Sequence, residues 1–198
     1  MDADVRALER RFAKDPTDQE ALARLIAARR RARLPATPGL LAARVLPPRT
    51  FTSLCKLLVS VVLPDGRVDV LARTNTAGAG DTVALPAHRL LVVMPLDRHE
   101  PLPGLVASLA DEPALGLTLS MGASHKRGAE LPAAALAKLP GLERLEGDGL
   151  VVKAKTAAAL AKCKALATLD LCGSDTEAAA LPALARLPAL VDLRIHDV

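Results

Sequence analysis

The sequence predicts a mixed α/β chain with a helical front, a β-rich middle and a short terminal solenoid of parallel strands and return helices. Three observations carry that reading. Apolar residues recur at helical spacing in the first 33 residues, two β-branched runs flank a Pro-Asp-Gly turn at residues 64–66, and the last third repeats every 24 residues.

Composition sets the frame. With 198 residues, 51% of them apolar, the chain is expected to form one domain, or one with a small appendage, and its aliphatic content excludes disorder over most of its length. No apolar run approaches the roughly 18–20 residues of a bilayer span. The first thirty residues carry Asp, Glu and Arg where an export signal would hold an apolar block, so a cytoplasmic location is expected. Cys55, Cys163 and Cys172 form no Cys-x-x-Cys pair and read as free thiols in a reducing compartment.

Residues 1–34 read as a helical N-terminal cap. Val5, Leu8 and Phe12 share one helical face, and Leu22, Leu25 and Ile26 share another after a break at Asp15 and Pro16. Asp18 is placed to cap the second helix, with Glu20 in its first turn. The segment AKDPTDQEALARL resembles the helix junction of tetratricopeptide-type repeats and, more loosely, the helical lead-in ahead of bacterial leucine-rich repeats. Residues 1–50 hold 11 Lys+Arg and 6 Asp+Glu, so the basic character belongs to the front of the chain. Arg29, Arg30, Arg31 and Arg33 close the second helix, where cations complement its dipole. With two Phe and no Trp or Tyr in the chain, base stacking is unavailable, which argues against nucleic acid as a partner. Weak, salt-sensitive binding by this basic helix is kept as an alternative.

Residues 35–50, with LPATPG and LPPRT, read as a Pro-rich connector. From residue 51 to 198 the chain reads as β-rich, continuing into repeats that are clearest over 131–198. LLVSVVLPDGRVDVLAR predicts a hairpin and RLLVVMPL a buried strand. Whether residues 57–96 join the repeat sheet or form a separate β unit is left open by the pattern.

The repeat aligns Leu142, Leu166 and Leu190, then Leu145, Leu169 and Leu193, with Leu136, Leu160 and Leu184 before them, all at 24-residue offsets. An earlier copy at PALGLTLSMG has Leu115, Leu117, Leu119 and Met121 alternating, at an offset nearer 27 or 28, and Pro86 to Leu96 reads as a degenerate copy before it. Leu-x-x-Leu-x-Leu followed by an Ala-rich segment resembles the leucine-rich repeat family, especially its short bacterial forms. The resemblance implies one parallel strand and one return helix per repeat, with each repeat covering the next. Where that family places an Asn that ties off loop carbonyls, this chain has Leu150 and Ser174, and Gly147 replaces an inward Leu. An irregular stretch is therefore expected around residues 146–155.

Equivalent positions on adjacent strands lie about 4.8 Å apart, so the outward residues should stand in rows. One row is Arg144, Thr168 and Asp192; the next is Glu146, Asp170 and Arg194; the third is Asp148, Cys172 and His196. The family resemblance implies that such a face holds another protein, without catalysis, metal or cofactor. The third row alone has catalytic or metal-binding potential, a thiol between an imidazole and a carboxylate, but shows no oxyanion donor and too few converging ligands. Cys163 stands where sister repeats have Leu139 and Leu187, so packing explains it. TNTAGAGDTV resembles the anion-hole signature of ribokinase-type sugar kinases, which would make Gly78, Ala79 and Gly80 a phosphate cradle and Asp81 a base. That phosphotransferase alternative requires a helix at this point, whereas the following TVALPAHRLLVVMPL is strand-like. His88, His99 and His125 read as isolated loop residues. The final repeat ends in an uncovered sheet edge, which predicts homodimerisation there.

Overall fold

The computed structural model describes residues 3–32, 34, 37–75, 80–96, 102–120 and 129–195. The front of the chain forms α1 (Ala3–Lys14) and α2 (Gln19–Arg31), separated at Asp15 and Pro16 as the pattern requires. Asp18 accepts the Ala21 N–H at 2.8 Å and pairs with Arg11. These contacts, the N–H foremost, hold its carboxyl below the usual range. Val5, Leu25 and Ala28 make a small core between the two helices.

The segment read as connector contains a helix. α3 (Pro38–Ala43) begins with Pro in its first turn, where no backbone N–H is required, and Thr37 caps it by accepting the Leu40 N–H at 3.4 Å. Gln19 fastens α3 to α2, donating to the Ala43 carbonyl and accepting from Val45 N–H.

The strands are β1 (Arg49–Ser53), β2 (Leu57–Val62), β3 (Val68–Arg73), β4 (Asp81–Leu85), β5 (Leu90–Pro95), β6 (Leu115–Ser120), β7 (Ala129–Glu130), β8 (Leu142–Asp148), β9 (Leu150–Val152), β10 (Thr168–Asp170), β11 (Asp175–Thr176) and β12 (Asp192–Arg194). Seven of them make the main sheet, in the order β12-β10-β8-β6-β5-β2-β3. From β12 to β5 every pairing is parallel, while β2 and β3 add as the antiparallel hairpin that Pro64, Asp65 and Gly66 predict. Leu193, Leu169 and Leu145 are direct partners at the 24-residue offset. The same offset joins β5 to β6 through Leu91 and Leu115, and β6 meets β8 at 27 and then 28 residues. β2, β3 and β5 thus belong to the repeat sheet. β1 and β4 form a separate antiparallel ribbon whose Phe51, Val83 and Leu85 join the same core.

The return segments are α4 (Leu102–Leu109), α5 (Ala133–Leu136), α6 (Ala154–Leu160) and a 3-10 turn at Ala178–Ala180 running into α7 (Leu181–Leu184). Leu136, Leu160 and Leu184 are fully buried against the inner leucines of the sheet. A second parallel sheet, β11-β9-β7, ties the strand-to-helix corners together, a feature the pattern did not announce.

Residues 146–155 differ from expectation, since they carry β8, β9 and the start of α6 in regular succession. The Ser174 hydroxyl makes the tie expected of an Asn, donating to the Gly147 carbonyl at 3.0 Å and accepting the Leu150 N–H at 3.3 Å. Gly147 leaves no hole: a Cβ there would stand 2.8 Å from Leu150 and 3.2 Å from Leu171, which fill the inward space. The inner column also ends differently, with Leu145 and Leu169 sealed but Leu193 36% exposed because nothing stacks on it among the described residues.

Candidate functional site

Strand alternation sends Leu145 and Leu169 inward and leaves their neighbours on the opposite, open face. Arg144, Thr168 and Asp192 are register partners there, as are Glu146, Asp170 and Arg194, so the first two predicted rows are brought together. The Arg194 guanidinium lies 3.0 Å from Asp192 and 3.8 Å from Asp170, Arg144 pairs with Glu146, and the Thr118 hydroxyl donates to Glu146 at 2.8 Å. These side chains remain between a quarter and three-fifths exposed, consistent with a partly self-neutralised surface rather than a buried network.

The strand pairing stops short of the third row: β8 and β10 are in register as far as Glu146 and Asp170. Asp148 pairs in register with Ser120, whose hydroxyl donates to it at 3.2 Å. Cys172 lies in the turn after β10, where its N–H donates to Asp170 at 3.0 Å and its thiol also bonds the Asp170 carboxylate. That hydrogen bond from the neutral thiol raises the Cys172 pKa and, with the N–H, lowers that of Asp170, so the thiolate needed for nucleophilic chemistry is disfavoured. His196 lies outside the described residues. Cys163 is buried, and desolvation pushes its thiol up to about 11.

The sheet extends the face beyond the predicted residues. Following one register row from end to end gives Val70, Ser60, Val92, Gly116, Arg144, Thr168 and Asp192, one residue from each strand. Around Val92 the same surface carries Leu58, Val62, Leu90 and Met94, all half-buried, and the exposed Val68 and Val70. The outer face is thus apolar on β3-β2-β5 and charged on β8-β10-β12. Alternation within VVLPDGRVDV marks Val68 and Val70, but only the cross-strand register shows that they share a face with Arg144.

Other predicted features take structural roles. Asp81 begins β4, not a helix, and its carboxylate accepts the Asn75 N–H at 2.6 Å. Gly80 has φ of 76°, while Gly78 and Ala79 lie outside the described residues. In the basic run, Arg29 pairs with Glu9, and Arg31 reaches Asp4 at 4.0 Å. Arg30 and Arg33 fall outside the described side chains, as do His99 and His125. His88 is fully buried, with burial lowering its pKa and Nδ1 against the Pro86 carbonyl. Sequence reasoning also missed two largely buried ion pairs: Arg44 with Glu143, at 2.7 and 2.9 Å, and Arg49 with Glu112.

Among the described residues no group of three or more His, Cys, Asp or Glu side chains is arranged to hold a metal ion, and no helix is long and apolar enough to cross a membrane. Comparison with known protein families, curated proteins and solved structures finds no match.

Proposed function

We propose that the chain is a short leucine-rich-repeat solenoid of the cytoplasm that holds a protein partner on its exposed strand face, without catalysis. The contact residues are Arg144, Glu146, Asp148, Thr168, Asp170, Cys172, Asp192 and Arg194, and His196 is included from the sequence pattern alone. The observation that carries this reading is the single register row across seven strands, which joins a charged surface to an apolar one. An apolar patch rimmed by charge is the pattern by which protein interfaces combine affinity with specificity. The disfavoured Cys172 thiolate and the strand at Asp81 both weigh against an enzymatic reading.

The test exchanges Asp170→Arg and Arg194→Asp together, which keeps an acid–base pair between β10 and β12 while reversing its sense. The variant is expected to melt with the parent yet to lose a partner that the parent captures from lysate. Equal capture by a folded variant would remove the charged half of the face from the proposal.

A second reading, self-association through the β12 edge, rests on the exposure of Val191 and Leu193 there, 53% and 36%.

A further inference from the structure

We propose that His88 is the acid-sensitive catch of a latch that holds the helical module α1–α3 on the sheet, closed at neutral pH and opened by protonation. The module packs on its own. Among the described residues, its apolar clusters around Val5, Leu25 and Ala28 and around Leu22 and Ile26 contain nothing beyond Ala43, and the core of the sheet contains nothing before Phe51. Residues 44–46 carry the polar ties between the two. Arg44 reaches Glu143 and the Arg89 carbonyl, and Leu46 exchanges both backbone hydrogen bonds with His88, at 2.6 and 3.1 Å. Leu41 of α3 lines a groove with Val62, Leu90 and Thr168, so release of the module would widen the outer strand face; the latch itself does not rest on the partner-binding reading.

The His88 ring lies at this junction, out of reach of water. Nδ1 stands 2.7 Å from the Pro86 carbonyl, which only accepts, so Nδ1 carries the proton, and Nε2 is buried without a partner. A second proton would give Nε2 a donor with no acceptor and the ring a charge with no solvent. The charged surroundings offer no relief. Arg44 faces the ring from the end of α3 and Arg49 from β1, while Glu112, from the turn before β6, is already closed on Arg49. Glu143 of β8 is closed on Arg44, and Arg89 adjoins His88 in the chain. Burial foremost lowers the His88 pKa. The closed form therefore binds a proton less tightly than the open one, so the latch is at full strength above about 6.5, the value of a solvated imidazole, and weakens as pH falls below it.

Amide hydrogen exchange on the full chain tests the latch, with rates corrected for their intrinsic pH dependence. Protection of the Leu46 and His88 amides is expected to fall about tenfold between about pH 7.5 and about pH 5.5, a window above the ordinary carboxylate range, because the open population grows about tenfold per unit below about 6.5. Protection of Leu169, in β10, should hold. His88→Asn keeps a donor for the Pro86 carbonyl without an ionisable ring, and is expected to flatten the dependence at Leu46 to less than about twofold. Each protein is compared with itself at the higher pH, so a weaker latch in the variant does not mask the result. In the parent, NMR of the ring should show His88 titrating below about 6.5. Constant protection at Leu46 and His88 would overturn the proposal, and so would an equal loss at Leu169, which marks global unfolding. An unchanged slope in His88→Asn would assign the effect to another of the four histidines and overturn it as well, as would an ordinary midpoint for the His88 ring.

Discussion

Arg44 and Glu143 stand 99 positions apart, and their side chains are 8% and 5% exposed, so α3 and the N-terminal end of β8 are joined through a pair largely withdrawn from water. Removing one partner leaves the other charged and unsolvated, which costs far more than an exposed pair contributes. Glu143→Gln is therefore expected to lower unfolding stability by about 3–5 kcal/mol in urea titration. Arg44→Met with Glu143→Leu should recover most of that loss, because an apolar pair of similar volume needs no compensation. If the single variant unfolds at the parent's midpoint, the pair is not what seats α3. Nothing in the sequence could have announced this contact: Glu143 sits one place after an inward Leu and reads as solvent-facing, and Arg44 lies in a Pro-rich stretch without periodicity.

At the scale of elements, the corner between β8 and β9 shows how a departure from the repeat is absorbed. Ser174, one 24-residue step beyond Leu150, reaches back to the Gly147 carbonyl and the Leu150 N–H, so one hydroxyl satisfies a donor and an acceptor in the preceding repeat. Ser174→Ala leaves both groups buried and unpaired, and is expected to cost about 1–3 kcal/mol in thermal or chemical unfolding. A loss within error would mean that the tie is replaceable by water. The strands and return helices were legible because their leucines repeat at a fixed interval, and the hairpin because Pro64, Asp65 and Gly66 sit between β-branched runs. The irregular corner predicted from the missing Asn was not borne out, because a shorter side chain makes the same two bonds. The β1–β4 ribbon was illegible for another reason: Arg49 pairs with Leu85 across an intervening hairpin, and such long-range pairing leaves no local turn signal. The charged rows on β8, β10 and β12 followed from the repeat alone, whereas the apolar half of the face required knowing how the hairpin joins the sheet.

At the scale of the whole molecule, β3 and β12 are the edge strands of the main sheet among the described residues, and they are protected unequally. β3 carries Asp69 and Arg73 along it, with Arg67 just before it, and meets β2 through a register irregularity, devices that discourage edge pairing. β12 also carries charge, at Asp192 and Arg194, but meets β10 without a bulge, and Leu193 between them is partly exposed. Two copies of β12 pairing antiparallel about Leu193 would set Asp192 of each against Arg194 of the other, an isologous and charge-complementary arrangement. Sedimentation is expected to show a mass that rises with concentration toward a dimer. Arg194→Asp alone would place acids opposite acids at both ends of the pairing and shift the chain to monomer. Asp192→Arg added to it restores the complementarity and should restore the dimer, which separates this edge from a general effect of charge. A parent mass that stays monomeric at every concentration would leave the β12 edge free for a heterologous partner, continuous with the charged rows beside it.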